Sequence, residues 1–287
     1  MEIVLNTKFF ADLAPSALGG KVAELGYDGV DLCIRDGHPV HPQNADKALA
    51  GAVRLLREEG LSCPLATAPV DFVDPNEARA ERLYAACAEA GVPRLKIGYW
   101  QYAEGDEYWA LLERAKQALA GFVRLSERYG IQTCCHTHSG PCLGSNCAGL
   151  MQLIGDFSPE QVGAYPDLGH MALDGEDPGM GLSMLARHLS IVAVKDATHV
   201  ERPGEEPSRG PIFTYVGGGS VDWRRILRLL AEAAYDGPLV VHTEYSFSEA
   251  IIRQVGYADE KPPDLEHFVR RDAAVLRRLI AEEGVIG

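Results

Sequence analysis

The sequence predicts an α/β fold, a single (β/α)8 barrel over residues 1–287. Three observations predict it. One phrase recurs along the chain, in which a helical segment ends in Gly or a small turn and a short β-rich run follows. It reads AELGYDGVDLCI (23–34), REEGLSCPLAT (57–67), AEAGVPRLKIG (88–98), SERYGIQTCCH (126–136) and AEAAYDGPLVVH (231–242). The runs are nearly continuously apolar, the pattern of parallel strands covered on both faces. With the runs at 2–6, 162–166 and 190–195, eight strands begin near residues 2, 29, 62, 94, 131, 162, 190 and 238, at intervals of 27, 33, 32, 37, 31, 28 and 48. Eight βα units in about 250 residues is the arithmetic of this barrel.

Each element has a local reason. The first run leads into Asn6-Thr7-Lys8-Phe9-Phe10, which lacks the Gly-rich turn that opens a doubly wound dinucleotide-binding sheet. The second and last runs open on near-copies, Tyr27-Asp28-Gly29 and Tyr235-Asp236-Gly237. Glycines after the helical segments supply left-handed caps. Helices fill the gaps at Asp46–Glu59, Glu77–Ala90, Asp106–Tyr129, Asp222–Ala234 and Leu265–Glu283. The one linker-like stretch, Glu201–Gly210, lies inside the 48-residue interval and reads as an active-site loop of the same barrel.

Composition narrows the function classes. The chain carries 41 acids against 27 bases, a net charge of −14. That balance opposes a phosphate-backbone partner and an anionic membrane. The N-terminus has no signal-peptide pattern, and no 18-residue uncharged apolar segment occurs, so a cytoplasmic location is expected. Seven cysteines, an odd number, fit a reducing compartment. Cys134, Cys135, Cys142 and Cys147 cluster with His136 and His138, but at no spacing typical of structural zinc.

Barrel chemistry belongs at the C-terminal ends of the strands. There the sequence places Arg35 and His38, Lys96 with Tyr99 and Trp100, His136 and His138, Asp167 and His170, Lys195 and Asp196, and His242 with Glu244. Residues two apart on a strand share a face, so His136 points with His138 and His242 with Glu244. Imidazoles and carboxylates converging at a barrel mouth suit a divalent ion such as Mn, Co, Fe, Zn or Ni. Lys195 ends a buried run and needs an anion, either a substrate oxygen or a salt bridge with Asp196 or Glu244. Lys96, Tyr99, Trp100, Arg35 and His38 are candidate substrate contacts, and Tyr99, Trp100 and Tyr102 either wall a sugar-sized pocket or pack over the barrel top. Gly217-Gly218-Gly219-Ser220 precedes a helix and is either a phosphate cradle or a turn before an N-cap at Ser220 or Asp222.

These motifs together resemble the sugar phosphate isomerase/epimerase group, the xylose-isomerase-like TIM barrels. The carriers are GYDGVDL (26–32), His-x-His-Ser-Gly at 136–140, Asp167-Leu-Gly-His170, Val194-Lys195-Asp196, VGGGSVDW (216–223) and YDGPLVVHTE (235–244). The resemblance implies a metal held by Glu, Asp, His and Glu on the last four barrel strands, with the two Glu moving protons. Carried over by position, these fall on His136, Asp167, Ala193 and His242, with Glu244 one pleat further and His170 as a substrate contact. Three of four ligands depart from the pattern. The remaining metal set is His136, Asp167 and His242. Glu244, His138, His170 and Lys195 are left as the proton-moving or charge-stabilising groups.

The resulting expectation is a metal-dependent sugar or keto-sugar isomerase or epimerase acting by proton abstraction beside a polarised carbonyl. Its alternative is a lyase or dehydratase acting on a 3-keto sugar or polyol through the same chemistry. An endonuclease IV-like nuclease and an inactive sugar-binding barrel stand further back. The expected partner is a small sugar or derivative, with no nucleic acid and no membrane. A homo-oligomer is compatible with the resemblance, but no interface stripe is legible.

Overall fold

The computed structural model describes residues 1–246 and 265–284. Its strands are β1 (Ile3–Asn6), β2 (Gly29–Cys33), β3 (Ser62–Thr67), β4 (Arg94–Lys96), β5 (Gln132–His136), β6 (Val162–Tyr165), β7 (Val192–Val194), β8 (Asp196–Glu201), β9 (Arg209–Thr214) and β10 (Leu239–Val241). Eight of them form one parallel sheet in the order β6-β5-β4-β3-β2-β1-β10-β7. Two isolated parallel bridges, Ala164 to Leu189 and Asp167 to Ala193, bring the β7 segment back to β6. The sheet is a nearly closed (β/α)8 barrel, as the spacing of apolar runs predicts.

The helices are α1 (Pro15–Leu25), α2 (Ala45–Glu58), α3 (Ala78–Ala90), α4 (Tyr108–Tyr129), α5 (Cys147–Ile154), α6 (Leu168–Asp174), α7 (Pro178–Leu185), α8 (Trp223–Glu232) and α9 (Leu265–Glu282). Gly26, Gly91 and Gly130 end α1, α3 and α4 in the left-handed conformation, at φ 90°, 66° and 66°. The recurring helix–Gly–strand phrase is this cap repeated. The helices bury apolar stripes against the outer faces of the strands. A separate apolar layer fills the barrel itself: Val4, Leu65, Cys134, Tyr165, Ile191, Ala193 and Val240, all fully buried.

The long last interval holds an antiparallel hairpin. β8 and β9 pair from Asp196–Thr214 out to Glu201–Arg209. The stretch expected to be a loop therefore contributes strand ends, with only residues 202–208 left as the turn. Val200 and Ile212 pack together on one face of the hairpin. A search for continuously apolar runs passes over such a half-buried ribbon.

All seven cysteines are free and buried. Cys142 donates to the His138 carbonyl, and Cys147 sits beside Met171. They are core residues, and the one metal-capable cluster among the described residues contains no cysteine. Among the described residues, no helix is long and apolar enough to cross a membrane.

Candidate active site

The site begins with the turn from β6 into α6. Asp167 is the N-cap of α6: its Oδ1 accepts from the backbone N–H of Gly169 (2.9 Å) and His170 (3.0 Å). Its own N–H donates to Thr137 Oγ1 at 2.8 Å. Gly169 is needed here, because a Cβ would stand 2.9 Å from the Lys195 carbonyl. The capping arrangement uses Oδ1 and leaves Oδ2 to the side chains of the barrel mouth.

Three ligand-type side chains meet at that oxygen. His136 Nε2 lies 3.4 Å from Asp167 Oδ2, and His242 Nδ1 lies 3.6 Å from it. The three ligand atoms all fall within 4.8 Å of one another. Tyrosine hydroxyls hold the far side of each ring, Tyr99 at His136 Nδ1 (2.7 Å) and Tyr165 at His242 Nε2 (2.9 Å). Such partners fix ring orientation and tautomer in metal sites. Burial pushes the His136 pKa down to about 3 and His242 well below the usual range, so both imidazoles are neutral. Burial works against the Asp167 charge, but Lys195 and His170 outweigh it and hold the carboxyl well below its usual range. His136 Nε2 and Asp167 Oδ2 are buried and have no hydrogen-bond partner. These two atoms, with a neutral imidazole beside them, are a set that could hold a divalent cation.

A second group of charges stands over these. Lys195 donates to Glu244 Oε2 (2.7 Å) and His170 Nε2 (3.1 Å), and lies 3.2 Å from Asp167 Oδ2. Burial opposes its charge, but Asp167 and Glu244 more than compensate and raise its pKa. Lys8 donates to the other oxygen of Glu244. Burial would raise the Glu244 pKa, but Lys195, His242 and Lys8 hold it well below the usual carboxylate range. Because an ammonium only donates, His170 Nε2 accepts, and its Nδ1–H is left to donate to Ser139 Oγ at 2.8 Å. His138 Nδ1 meets the Ser139 carbonyl at 2.8 Å, which only accepts, so His138 keeps a lone pair on Nε2. From β9, Phe213 lays its ring 4.5 Å from the Lys195 ammonium and 5.2 Å from the His170 ring.

Of these, Lys8, Tyr99, His136, His138, Tyr165, Lys195, His242 and Glu244 line a pocket at the barrel mouth, together with Asn6, Arg35, Thr67, Val70 and Lys96. The structure thus brings together His136, Asp167, His242, Glu244, His138, Lys195, His170, Lys96, Tyr99 and Arg35. It does not bring in His38, which lines a separate cleft with Phe10 and Leu18, or Trp100, which packs on the core. Both follow a strand end by several residues, where the strand period no longer applies. Sequence reasoning missed Asn6, Lys8 and Thr67. The end of the first run was read for a Gly-rich turn and not for its polar residues.

Lys195 takes Glu244 and Asp167 as partners, and Asp196 is occupied elsewhere. Its carboxylate accepts from the backbone N–H of Gly217 and Val221 and from Trp223 Nε1. Gly218 and Ser220 donate to the Tyr215 and Ala197 carbonyls. The glycine run is therefore a turn closed on Asp196, and Asp222 is the N-cap of α8.

The model of the xylose isomerase-like TIM barrels matches residues 20–268. The chain belongs to that family. Solved structures with the same fold include the 3-keto-D-glucoside 4-epimerase YcjR from E. coli, at 16% identity and TM-score 0.71 over 97% of this chain and 99% of that one. An L-ribulose 3-epimerase matches at 14% and 0.72, over 99% and 96%. The D-allulose 3-epimerase from Methylomonas sp., in complex with D-allulose, matches at 13% and 0.70, over 97% and 96%. In sequence the chain is 26% identical over 156 residues to inosose dehydratase of Lacticaseibacillus casei, half of each chain. It is 30% identical over 171 residues to the rhizopine catabolism protein MocC of Rhizobium meliloti, covering 55% of this chain and 47% of that one. The chain thus spans about half the length of the curated relatives it matches. In this xylose isomerase-like barrel, the strand 7 position read as Ala193 is fully buried in the apolar layer, one pleat below Lys195.

Proposed function

We propose that this barrel is a metal-dependent enzyme that enolises a keto-sugar or keto-polyol, as an isomerase or epimerase. The observation that carries the reading is His136 Nε2 and Asp167 Oδ2, both buried without a hydrogen-bond partner, beside His242 Nδ1. His136, Asp167 and His242 hold the ion, which when bound supplies Lewis-acid polarisation of a substrate carbonyl. His138 is the group we assign to proton removal: it is neutral, faces the pocket and keeps its Nε2 lone pair. Glu244, ionised between Lys8 and Lys195, orients a substrate hydroxyl by accepting its hydrogen bond. Lys195, fixed by Asp167, Glu244 and His170, sets positive charge where negative charge develops on the substrate oxygens. Tyr99 and Tyr165 keep the two imidazoles aimed.

A second reading is a dehydratase. Two observations favour it: the half-chain likeness to inosose dehydratases, and the unmatched proton-handling groups, one imidazole and one clamped carboxylate. A symmetric epimerisation calls for two comparable bases.

Metal analysis followed by turnover in heavy water tests both. The purified protein is expected to carry about one divalent ion per chain and to exchange solvent deuterium into a keto-sugar or inosose. Deuterium retained in an isomeric product supports the isomerase; release of water supports the dehydratase. A protein that binds no divalent ion and exchanges no proton overturns both.

A further inference from the structure

Two cations in the pocket are not used by the chemistry above. Glu244 neutralises Lys8 and Lys195. Lys96, at the end of β4, and Arg35, just beyond β2, make no hydrogen bond or ion pair through their side chains among the described residues. Lys96 is only 3% exposed and lines the pocket. Its ammonium rests 3.9 Å from the centre of the Tyr99 ring. Arg35 Nε is buried and has no partner. The acid acting on both is Asp31, whose Oδ2 accepts from Asn6 Nδ2 (2.6 Å) and Thr67 Oγ1 (2.9 Å) and whose Oδ1 is buried without a hydrogen bond; Glu244 also acts on Lys96. Burial pushes the Asp31 pKa up to about 6, so it is still largely ionised at neutral pH, but it makes no ion pair with either cation among the described residues.

An ammonium buried without an anion is costly. Burial and the like charge of Arg35 push the Lys96 pKa down to about 7, a sign that the pair repel each other. In a chain of net charge −14, four cations, Lys8, Arg35, Lys96 and Lys195, converge on one pocket. Guanidinium presents a planar fork that matches carboxylate or phosphate oxygens, and ammonium adds a point charge. The Tyr99 ring lies 3.9 Å from the Lys96 ammonium and 5.9 Å from the His136 ring; the leftover cations stand at or just past the ends of β2 and β4, and the metal-type ligands at or just past the ends of β5, β6 and β10.

We propose that Lys96 and Arg35 form an anion subsite, and that the substrate is a sugar or polyol carrying a carboxylate or phosphate group. The orientation of the substrate rests on the metal-dependent reading above; the subsite itself does not.

The test uses the full chain stripped of metal by a chelator, so that an ion at His136, Asp167 and His242 cannot bind the probe. The protein is titrated calorimetrically with inorganic phosphate, glycolate and glycerol. At least one of the two anions is expected to bind saturably at one site per chain, with Kd of about 10 mM or tighter, roughly 3 kcal/mol or more, and glycerol not to saturate. Binding of glycolate alone names a carboxylate as the substrate's anion, and of phosphate alone a phosphate. Lys96→Met and Arg35→Gln are each expected to weaken that binding about 10-fold or more. If neither anion saturates in the wild type, or both variants bind it unchanged, the subsite is overturned. The metal content of the untreated protein is measured in parallel. Anion binding without metal sinks only the metal reading, and metal without anion binding sinks only the subsite.

Discussion

The barrel's apolar plug and its polar mouth are one pleat apart, and the same strands build both. Val4, Leu65, Cys134, Tyr165, Ala193 and Val240 belong to the plug. Two residues on, in the same order, stand Asn6, Thr67, His136, Asp167, Lys195 and His242. Side chains two apart share a face, so each strand carries its apolar residue and then its chemical residue up the same inner wall. The difference teaches why the site is perturbed. The mouth groups rest on a floor that holds almost no polar partner, so they must satisfy one another or a ligand. Burial accordingly empties the imidazoles of charge, and Lys195 must be held by two carboxylates. Tyr165 alone belongs to both layers, with its ring in the plug and its hydroxyl at His242.

The sharpest way to break that contrast is to remove a mouth ligand. Asp167→Ala and His242→Ala are each expected to lose the divalent ion and to cut turnover by about 1,000-fold or more, removing several kcal/mol of transition-state stabilisation. Lys195→Ala is expected to keep the ion and still lose turnover, because in the proposed role its ammonium faces substrate charge and is no ligand. Metal analysis on the three variants separates these outcomes. If His242→Ala keeps full occupancy, Glu244 replaces it in the set.

The layer shared by plug and mouth predicts an intermediate effect. Tyr165→Phe and Tyr99→Phe leave every proposed ligand in place but remove the hydroxyls behind His242 and His136. Loss of such supports weakens metal binding by about 10–100-fold, readable by competition with a coloured chelator. In the plug, Val240→Ala is expected to cost about 2 kcal/mol of stability, from two lost methyl groups and the cavity left behind. Denaturant unfolding should show that loss, with metal affinity unchanged.

The barrel was legible because parallel strands buried on both faces write continuous apolar runs, and Gly caps punctuate them. The proposed metal trio was legible for a related reason: His136, Asp167 and His242 stand at or just past strand ends, where the period still fixes direction. The hairpin at Asp196–Thr214 was missed because a half-buried ribbon alternates and has no such run. Lys8 was missed because it sits in the short 3-10 turn Thr7–Phe9, and its partner Glu244 is 236 residues away. The glycine run misled in the opposite direction. Its backbone N–H groups invite an anion, and the anion proves to be Asp196, which no local pattern pairs with it.

Lys96 gives the most specific expected effect, since it is a mouth cation without an ion pair among the described residues. Its folded-state pKa is lowered to about 7, whereas an unfolded lysine titrates near 10.4. Between those values the unfolded chain binds more protons than the native one, so this residue makes stability rise with pH. Its burial penalty is greatest below pH 7 and is relieved as the pH climbs through the window. Lys96→Met removes the group and the slope with it. The variant is therefore expected to be more stable than wild type at pH 7.5, with the gap closing by about 1 kcal/mol per pH unit up to pH 9.5. Denaturant midpoints at three pH values measure this in metal-free protein. Adding the anion that occupies the subsite should narrow the gap at pH 7.5, because the ligand supplies the counter-charge the fold withholds. A gap that is flat with pH would mean that Lys96 is already compensated, and would leave the mouth without an unpaired lysine.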